Sequence, residues 1–305
     1  MRIGVNDTRC HGRATNKMGK AKMKFTKAIL AAALLLLPAS FARADDAAPA
    51  ADSGAAAPEA ETGPFAKQNF TGTLWWTTDY MFRGISNTRN HPAVQGEMDW
   101  TYEGFYLSGW MSNTEFQTAH IETDGYFGYR FNAGMFAFDF GGLYYGYPGG
   151  RNPVANAQGK FTDVDYWEGK AAVSTTLDMD LSPALGLQVF VSPDFSGNDG
   201  TAEAVYGTFG LALPYGINFA SGVGYQNVSG DQSSGTSQGI VKPDGTILDG
   251  YDYVWWNIGL NTDFKGFHFD LSYYDTAHTA DLKVFNGGSD TLFHGRAVFT
   301  LSKAF

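Results

Sequence analysis

Hydrophobic and polar residues alternate with a period of two along most of the chain from residue 70 onward. In residues 267–273 the first, third, fifth and seventh side chains are apolar, and His, Asp and Ser lie between them. Residues 94–100 show the same alternation, and residues 185–191 show it apart from Phe190. Successive side chains of a strand point to opposite faces, so this period predicts strands with one apolar and one polar face. No window keeps a helical period, and we therefore expect an all-β fold.

About twelve such segments, each of roughly 9–14 residues, are separated by connections that alternate in length. Tight turns such as 103–104 and 265–266 alternate with long segments such as 147–163 and 228–250. This alternation is typical of a transmembrane antiparallel β-barrel. A soluble β-sandwich or lipocalin-like barrel is the alternative, because the parity of the strands alone fits either fold. The predicted strands are 69–82, 93–102, 104–114, 121–131, 134–146, 164–176, 184–193, 202–213, 216–227, 251–263, 266–276 and 290–305.

The first 44 residues have the features of a secretory signal peptide. Five lysines between residues 17 and 27 precede an apolar run over 28–39, and Ala42-Arg43-Ala44 offers a small-residue cleavage site. The run is about a dozen residues long, short of the roughly 20 that a spanning helix needs. Within this segment the signal features fit best when counted from Met23, which favours a translation start at Met23 and an over-called start at residue 1. We expect a signal peptide over 1–44 and export toward the outer membrane of a Gram-negative cell.

The rest of the chain divides into a tether and a barrel. Residues 45–66 are mostly Ala, Pro, Asp and Glu, a composition that predicts a disordered segment, and residues 67–305 carry the predicted strands. The last predicted strand places Ala297, Phe299 and Leu301 on one parity with the final Phe305. An amphipathic strand that ends on Phe resembles the signal read by the outer-membrane barrel assembly machinery, which we therefore expect to recognise Phe305.

Charge and cysteine content exclude several kinds of chemistry. The chain has 21 Lys+Arg and 31 Asp+Glu, a net charge of −10. Residues 1–44 hold nine of these basic residues and one of the acidic ones, so the remainder carries 12 basic and 30 acidic residues. An acidic chain without basic clusters argues against nucleic-acid binding. The single cysteine, Cys10, lies within the predicted signal peptide, which excludes a disulfide framework and a thiol nucleophile from the exported part.

Several ordered motifs lie between about residues 75 and 170. They are TTDYMFRGISNT at 77–88, PAVQG at 92–96, GFYLSGWMSN at 104–113, IETD at 121–124 and GGLYYGYPG at 141–149. Together they resemble the TorF-type porin family of proteobacterial outer-membrane proteins, although Glu97-Met98 stand where Gly and an aromatic residue are expected. The resemblance implies an outer-membrane β-barrel and supplies no catalytic or ligand-binding residues.

Extending the parity through each strand assigns fourteen polar side chains to the barrel interior. With eight acids and four bases, such a lining predicts a constriction that prefers cations, since rings of charged side chains set pore selectivity. Alternatively, Arg83 and Arg130 pair with carboxylates such as Asp79, Glu97 and Asp99 in a closed interior. The predicted lining residues are Asp79, Arg83, Glu97, Asp99, Glu122, Asp124, Arg130, Asp139, Glu168, Lys170, His268, Asp270, His294 and Arg296.

Enzymatic and metal-binding roles have weaker support. A hydrolase site needs a serine, a histidine and a third polar partner; His268, His294 and Ser272 are of the right type, but no nucleophile motif surrounds a serine. Asp-x-Asp pairs at 163–165 and 178–180 are solvated acidic turns more readily than divalent-cation sites. We predict no catalysis, no cofactor and no resident metal.

The sequence as a whole predicts a porin-like outer-membrane channel for the passive passage of small polar solutes. The alternative is a non-conducting outer-membrane barrel with a structural or ligand-binding role, and an outer-membrane lipid hydrolase is a third, weaker one. The expected partners are outer-membrane lipid, small polar solutes and the barrel assembly machinery, with no nucleic acid among them.

Overall fold

The computed structural model describes residues 62–116, 118–152, 161–230, 242, 244–246, 248, 250–277, 280–285 and 289–305. The predicted signal peptide and residues 45–61 of the predicted tether lie outside these described residues. Close to the first strand, the backbone carbonyl of Pro64 accepts a hydrogen bond of 2.6 Å from Trp100 Nε1. The segment that leads into the barrel therefore contacts the barrel wall.

Twelve antiparallel strands close into a barrel, which confirms the predicted fold class. Each barrel strand pairs with its neighbours in sequence, and β1 pairs with both β4 and β14 to close the ring. Strands β2 and β3 pair only with each other, as a separate hairpin. In chain order the elements are a 3-10 turn (Lys67–Asn69), β1 (Phe70–Thr77), β2 (Met81–Phe82), β3 (Ile85–Ser86), β4 (Ala93–Tyr102), β5 (Phe105–Asn113), β6 (Ile121–Ala133), β7 (Phe136–Gly146), β8 (Tyr166–Thr176), β9 (Ala184–Ser192), β10 (Ala202–Ala212), a 3-10 turn (Pro214–Gly216), β11 (Ile217–Val228), β12 (Tyr251–Phe264), β13 (Phe267–Ala277), the helix α1 (Ala280–Phe285) and β14 (Arg296–Ala304).

The two faces of the barrel wall differ in polarity as the alternation predicts. On β13, Leu271 is 57% exposed, whereas the next residue, Ser272, is 4% exposed. The outward face is apolar and the inward face polar, which is the arrangement of a transmembrane barrel and the reverse of a soluble one. No helix among the described residues is long and apolar enough to cross a membrane. Further exposed apolar residues on the barrel strands include Leu74, Met98, Leu107, Phe127, Phe140, Trp256, Ile258 and Leu260.

The two ends of the barrel differ in the length of their connections. At one end, here called the turn end, two-residue turns join neighbouring strands at 103–104, 134–135 and 265–266. Glu103 and Gly104 both have positive φ, which matches the twist of a tight hairpin. The opposite end, here called the loop end, carries the longer connections 78–92, 114–120, 147–165, 193–201, 229–250 and 278–295.

The first barrel strand is shorter than the sequence predicts. Strand β1 ends at Thr77, whereas alternation predicts a strand to residue 82. The Thr77 hydroxyl donates to the backbone carbonyl of Asp79 at 2.9 Å, and the chain leaves the wall there. Asp79 and Arg83 therefore lie in the first loop-end connection and not on a barrel strand.

The last barrel strand also begins later than predicted. The sequence predicts a strand from residue 290, but β14 begins at Arg296. The backbone N–H groups of Phe293 and His294 both donate to the carbonyl of Asp290, which closes a turn before the strand. His294 thus lies in this turn, and its predicted place on a strand face is wrong.

Two apolar clusters fill the loop end around the β2–β3 hairpin. Phe82 of β2 packs against the first cluster, and Ile85 of β3 packs against the second. The two strands of the hairpin therefore each supply one apolar side chain to a different cluster. The buried members are Ala119, Tyr145, Tyr147, Val164, Tyr166, Phe195, Ala202 and Val228 in the first cluster, and Ala204, Tyr253, Trp255, Leu282 and Phe293 in the second.

Candidate functional site

The first loop-end connection, residues 78–92, folds into the barrel and is here called the inner hairpin. Its tip is Arg83-Gly84, and both residues have positive φ (48° and 79°), as a tight two-residue turn requires. A Cβ at Gly84 would lie 2.5 Å from Trp255 Cβ, so glycine is needed for space as well as for conformation. The Thr276 hydroxyl donates to the Gly84 carbonyl at 2.8 Å and fastens the tip to β13.

Arg83 extends from the tip to strands that lie nearly opposite β1 in the barrel. Its guanidinium donates two hydrogen bonds to the Glu168 carboxylate on β8, at 2.8 and 2.5 Å, and one to Gln226 Oε1 on β11 at 3.2 Å. The rings of Phe82 and Phe190 lie 4.8 and 4.7 Å from its central carbon. The side chains of Arg83 and Glu168 are only 8% and 1% exposed, so this ion pair is almost completely buried.

A second ion pair holds the base of the inner hairpin against the strand that closes the barrel. The Asp79 carboxylate accepts hydrogen bonds from Ser86 Oγ at 2.6 Å and Thr88 Oγ1 at 2.8 Å. On its other oxygen it pairs with Arg296 Nη1 of β14 at 2.8 Å. Charge-assisted bonds of this kind are stronger than neutral ones, and they fix the direction in which the hairpin enters the barrel.

Contacts with β6 complete the attachment of the inner hairpin. The Tyr80 hydroxyl donates to Glu122 Oε1 at 3.1 Å, and Asn87 Nδ2 donates to Glu122 Oε2 at 3.3 Å. Two residues along β6, Asp124 Oδ2 accepts from the Tyr126 hydroxyl at 2.7 Å. The inner hairpin is thus bonded to β6, β8, β11, β13 and β14, and it crosses the lumen.

A cavity of about 430 Å³ lies against the hairpin tip. Three of its lining side chains bond to Asp139: Lys170 Nζ and Arg130 Nε pair with Asp139 Oδ2 at 2.7 and 3.3 Å, and the Tyr106 hydroxyl donates to Asp139 Oδ1 at 2.9 Å. This space, here called the chamber, combines charged, amide and aromatic groups. Its lining comprises Met81, Phe82, Arg83, Gly84, Glu97, Tyr106, Ser108, Tyr126, Arg130, Leu143, Tyr145, Lys170, Gln188, Phe190, Tyr206, Trp255, Asn257 and Tyr274.

The remaining predicted lining residues, Asp99, Asp270 and His268, are not among the residues that line the chamber. Asp99 accepts a hydrogen bond from the Ser108 hydroxyl, and Asp270 accepts one from the Ser272 hydroxyl at 2.8 Å. His268 Nδ1 lies 2.9 Å from Asp263 Oδ1 beside the tight turn between β12 and β13.

The residues named for catalysis or metal binding do not assemble into such a site. Ser272 and His268 bond to different aspartates, and His294 lies in the turn before β14. Of the Asp-x-Asp pairs, Asp165 accepts bonds from the Tyr144 hydroxyl and the Tyr147 backbone N–H. Within the part of the chain that the structure describes, no group of three or more His, Cys, Asp or Glu residues could hold a metal ion.

Sequence reasoning missed the neutral partners that attach the hairpin, namely Tyr80, Asn87, Gln226 and Thr276. The one signal available was the Arg83-Gly84 pair, since X-Gly favours a two-residue turn. Nothing in the sequence indicates that this turn points inward.

Comparison with known proteins identifies a family and several barrels of similar fold. The profile of a family described as a bacterial protein of unknown function, Gcw_chp, matches residues 61–305. A comparison with curated proteins gives no significant match.

Solved structures similar in fold include the NanC porin, with a TM-score of 0.44, 7% identity and coverage of 77% of this chain and 98% of that chain. The KdgM porin has a TM-score of 0.42, 8% identity and the same coverages. LpxR from Salmonella typhimurium has a TM-score of 0.41 and 12% identity, and the match covers 77% of this chain and 99% of that chain. At such low identity these likenesses say nothing of substrate or activity.

Proposed function

The chain belongs to the Gcw_chp family of bacterial proteins of unknown function, and we propose that it is a porin-like outer-membrane channel for small polar solutes. The observation that carries the proposal is the inner hairpin, which crosses the lumen above a polar chamber of about 430 Å³. A segment folded into the lumen narrows it at one depth, and a narrow polar passage selects solutes by size and charge. In this proposal, solutes pass the constriction at Arg83 and Glu168 and occupy the chamber in transit.

The unequal pairing of charges supports a preference for cations. The four basic residues of the predicted lining, Arg83, Arg130, Lys170 and Arg296, pair with only three of its carboxylates. The other five carboxylates form no ion pair with a described residue and leave the lining with an excess of negative charge. This excess attracts cations and repels anions at short range. The unpaired carboxylates are Glu97, Asp99, Glu122, Asp124 and Asp270.

Recording from the purified protein in a planar bilayer tests the channel directly. We expect small unitary currents and a cation-selective reversal potential at low salt, which weakens in 1 M salt because the Debye length falls to about 3 Å. Arg83→Gln should raise the conductance, since it releases the hairpin tip from Glu168. Arg89→Gln is the matched control, because Arg89 belongs to the same connection but is exposed. Anion selectivity at low salt would contradict the charge assignment.

A non-conducting barrel is the second candidate, and the two apolar clusters around the hairpin favour it. Together they bury large side chains, including Tyr145, Tyr166, Trp255 and Phe293, at the loop end. A lumen closed there could still bind a ligand in the chamber from the turn end. No conductance from wild type, together with conductance from a variant that lacks residues 80–89, would identify this candidate as the correct one.

We further propose the outer membrane as the location, with its lipid around the apolar face of the barrel. Recognition of strand β14 and Phe305 by the barrel assembly machinery belongs to this proposal, as does membership of the TorF-type porins. The Phe305 backbone exchanges hydrogen bonds with Gly72 of β1, and its side chain is 72% exposed. Phe305→Ala should lower the yield of heat-modifiable protein in outer-membrane fractions, while Phe65→Ala, at a residue 82% exposed outside the strands, should not. Equal yields from the two variants would remove Phe305 from the recognition signal.

A further inference from the structure

Three carboxylates are buried together beside the inner hairpin and are here called the acidic cluster. They are Glu122 and Asp124 on β6 and Glu168 on β8, which are 0%, 6% and 3% exposed. Arg83 neutralises Glu168 through a two-bond ion pair. Burying an ionised carboxylate without a compensating charge is strongly unfavourable. When Glu122 and Asp124 are both ionised, they therefore need a positive charge other than that of Arg83.

The other bases of the interior do not supply it. Arg296 pairs with Asp79, while Lys170 and Arg130 both pair with Asp139. The groups that do contact Glu122 and Asp124 are phenols and an amide, which donate hydrogen bonds but carry no charge. With all three carboxylates ionised, the acidic cluster and Arg83 would together keep two negative charges that no ion pair among the described residues compensates.

Asp124 gives a second and independent indication of a missing partner. Its Oδ2 atom accepts a hydrogen bond from Tyr126, but its Oδ1 atom is buried and accepts none. Buried carboxylate oxygens are almost always bonded to a donor or an ion, so the Asp124 Oδ1 atom is open to an ion or a water molecule. Asp124 lies two residues from Glu122 on β6, and side chains two apart in a strand share a face.

We propose that Glu122 and Asp124 bind a hard divalent cation, with calcium as its probe. One divalent ion balances the two uncompensated charges, which a single monovalent ion does not. The donors are oxygen atoms only, the type that Ca²⁺ and Mg²⁺ prefer over transition metals. Because only these two carboxylates of the acidic cluster lack an ion pair, the other ligands would be neutral oxygens, from the phenols of Tyr80 and Tyr126 and from water.

Such an ion would fasten the inner hairpin to the barrel wall. Tyr80 and Asn87 belong to the hairpin and contact Glu122, so a cation held at Glu122 stabilises the hairpin in its inward position. Removing the ion leaves like charges facing one another beneath the hairpin. The inference holds whether or not the barrel conducts, since it concerns the position of the hairpin alone.

Hydrogen–deuterium exchange of the hairpin amides tests the site. The full-length protein in detergent is stripped with EDTA, and exchange in peptides covering residues 78–91 is followed while CaCl₂ is added. At a calcium concentration about ten times the dissociation constant, hairpin opening should become about tenfold rarer by mass action. NaCl at equal ionic strength should have little effect. An absence of any calcium response in wild type would overturn the proposal.

Isosteric variants separate the site from general effects of calcium. Glu122→Gln and Asp124→Asn should each lose the response, and Asp270→Asn is the matched control because Asp270 is an interior carboxylate outside the cluster. Luminescence of bound Tb³⁺, excited through Tyr80 and Trp110, whose rings lie 5.3 Å apart, gives a direct binding signal. A full calcium response in the double variant Glu122→Gln/Asp124→Asn would reject the site. So would protection that acidification alone produces and calcium does not increase, because protons would then neutralise the cluster.

Discussion

The two ends of the barrel use the same charged residue types for different purposes. At the loop end, Arg83 and Glu168 form an ion pair whose side chains are only 8% and 1% exposed. Toward the turn end, Asp139 is shared between Lys170 and an Arg130 side chain that is 41% exposed. The first pair holds a hairpin across the lumen, and the second group lies in the wall of the chamber. The two groups therefore differ in burial more than in residue type.

Removing one basic side chain from each group should give the largest difference in unfolding free energy between the two ends. Arg83→Met leaves Glu168 buried without a counter-charge, which costs about 3–5 kcal/mol of unfolding free energy. Lys170→Met should cost roughly 1 kcal/mol, since Asp139 keeps Arg130 and the Tyr106 hydroxyl. Both values follow from urea unfolding in detergent. Equal losses at the two sites would show that the loop end is as hydrated as the chamber.

The next largest loss of stability is expected from a charge placed on the outward face of the barrel wall. Leu271→Arg places a charge on the lipid-facing side and should destabilise the barrel by about 2–4 kcal/mol if it lies near the membrane midplane. Asp270→Asn, at the adjacent inward position, should leave assembly intact. Migration on gels before and after heating scores both variants. If Leu271→Arg assembled normally and Asp270→Asn failed to assemble, the inward and outward faces of β13 would be the reverse of those described.

Glycines with positive φ at the two ends provide a smaller, matched test. Gly84→Ala forces a Cβ against Trp255 in addition to the strained φ, and should cost about 1–3 kcal/mol. Gly134→Ala at the turn end has the same kind of φ, 61°, with nothing within 4 Å, and should cost about 1 kcal/mol. Thermal unfolding compares the two. A larger loss at Gly134 would contradict the tight packing of the hairpin tip.

The smallest change in stability is expected at Arg130, the partly exposed basic residue that lines the chamber. Arg130→Gln should change the unfolding free energy by less than about 1 kcal/mol, because partly exposed ion pairs contribute little. It should also move the low-salt reversal potential further toward cation selectivity, since it removes one positive charge from the chamber. Bilayer recordings measure this shift against Lys67→Gln, a lysine in the 3-10 turn before the barrel. An unchanged reversal potential would place Arg130 outside the solute path.

The barrel wall could be predicted from the sequence because its determinants are local. Alternation at Leu271 and Asp270 depends only on neighbouring residues and on which face meets lipid, and the tight turns carry their own Gly signals. The inner hairpin could not be predicted in the same way. The sequence from Asp79 to Phe82 continues the alternation of β1, so nothing local marks the point at which the chain leaves the wall.

The ion-pair partners depend on closure of the barrel and for that reason lay beyond sequence reasoning. The sequence suggested carboxylates near Arg83 such as Asp79, but the structure pairs it with Glu168, 85 residues away. Asp79 instead takes Arg296, 217 residues away. The predicted strand position of His294 was wrong for a local reason. A turn closed by hydrogen bonds to the Asp290 carbonyl replaces the start of the predicted strand.

These separations also set an order of events during folding. The tip bonds to Thr276, 192 residues further on, and the base bonds to Arg296, so the set of hairpin contacts is complete only when the final strands are in place. Contacts this distant in sequence form late, since the chain between them must first be ordered. Complete docking of the inner hairpin therefore depends on the correct pairing register between β1 and β14. If β14 paired with β1 in a register shifted by one residue, Arg296 would no longer face Asp79. The base of the hairpin would then lose its ion pair, and we expect the lumen to stay open.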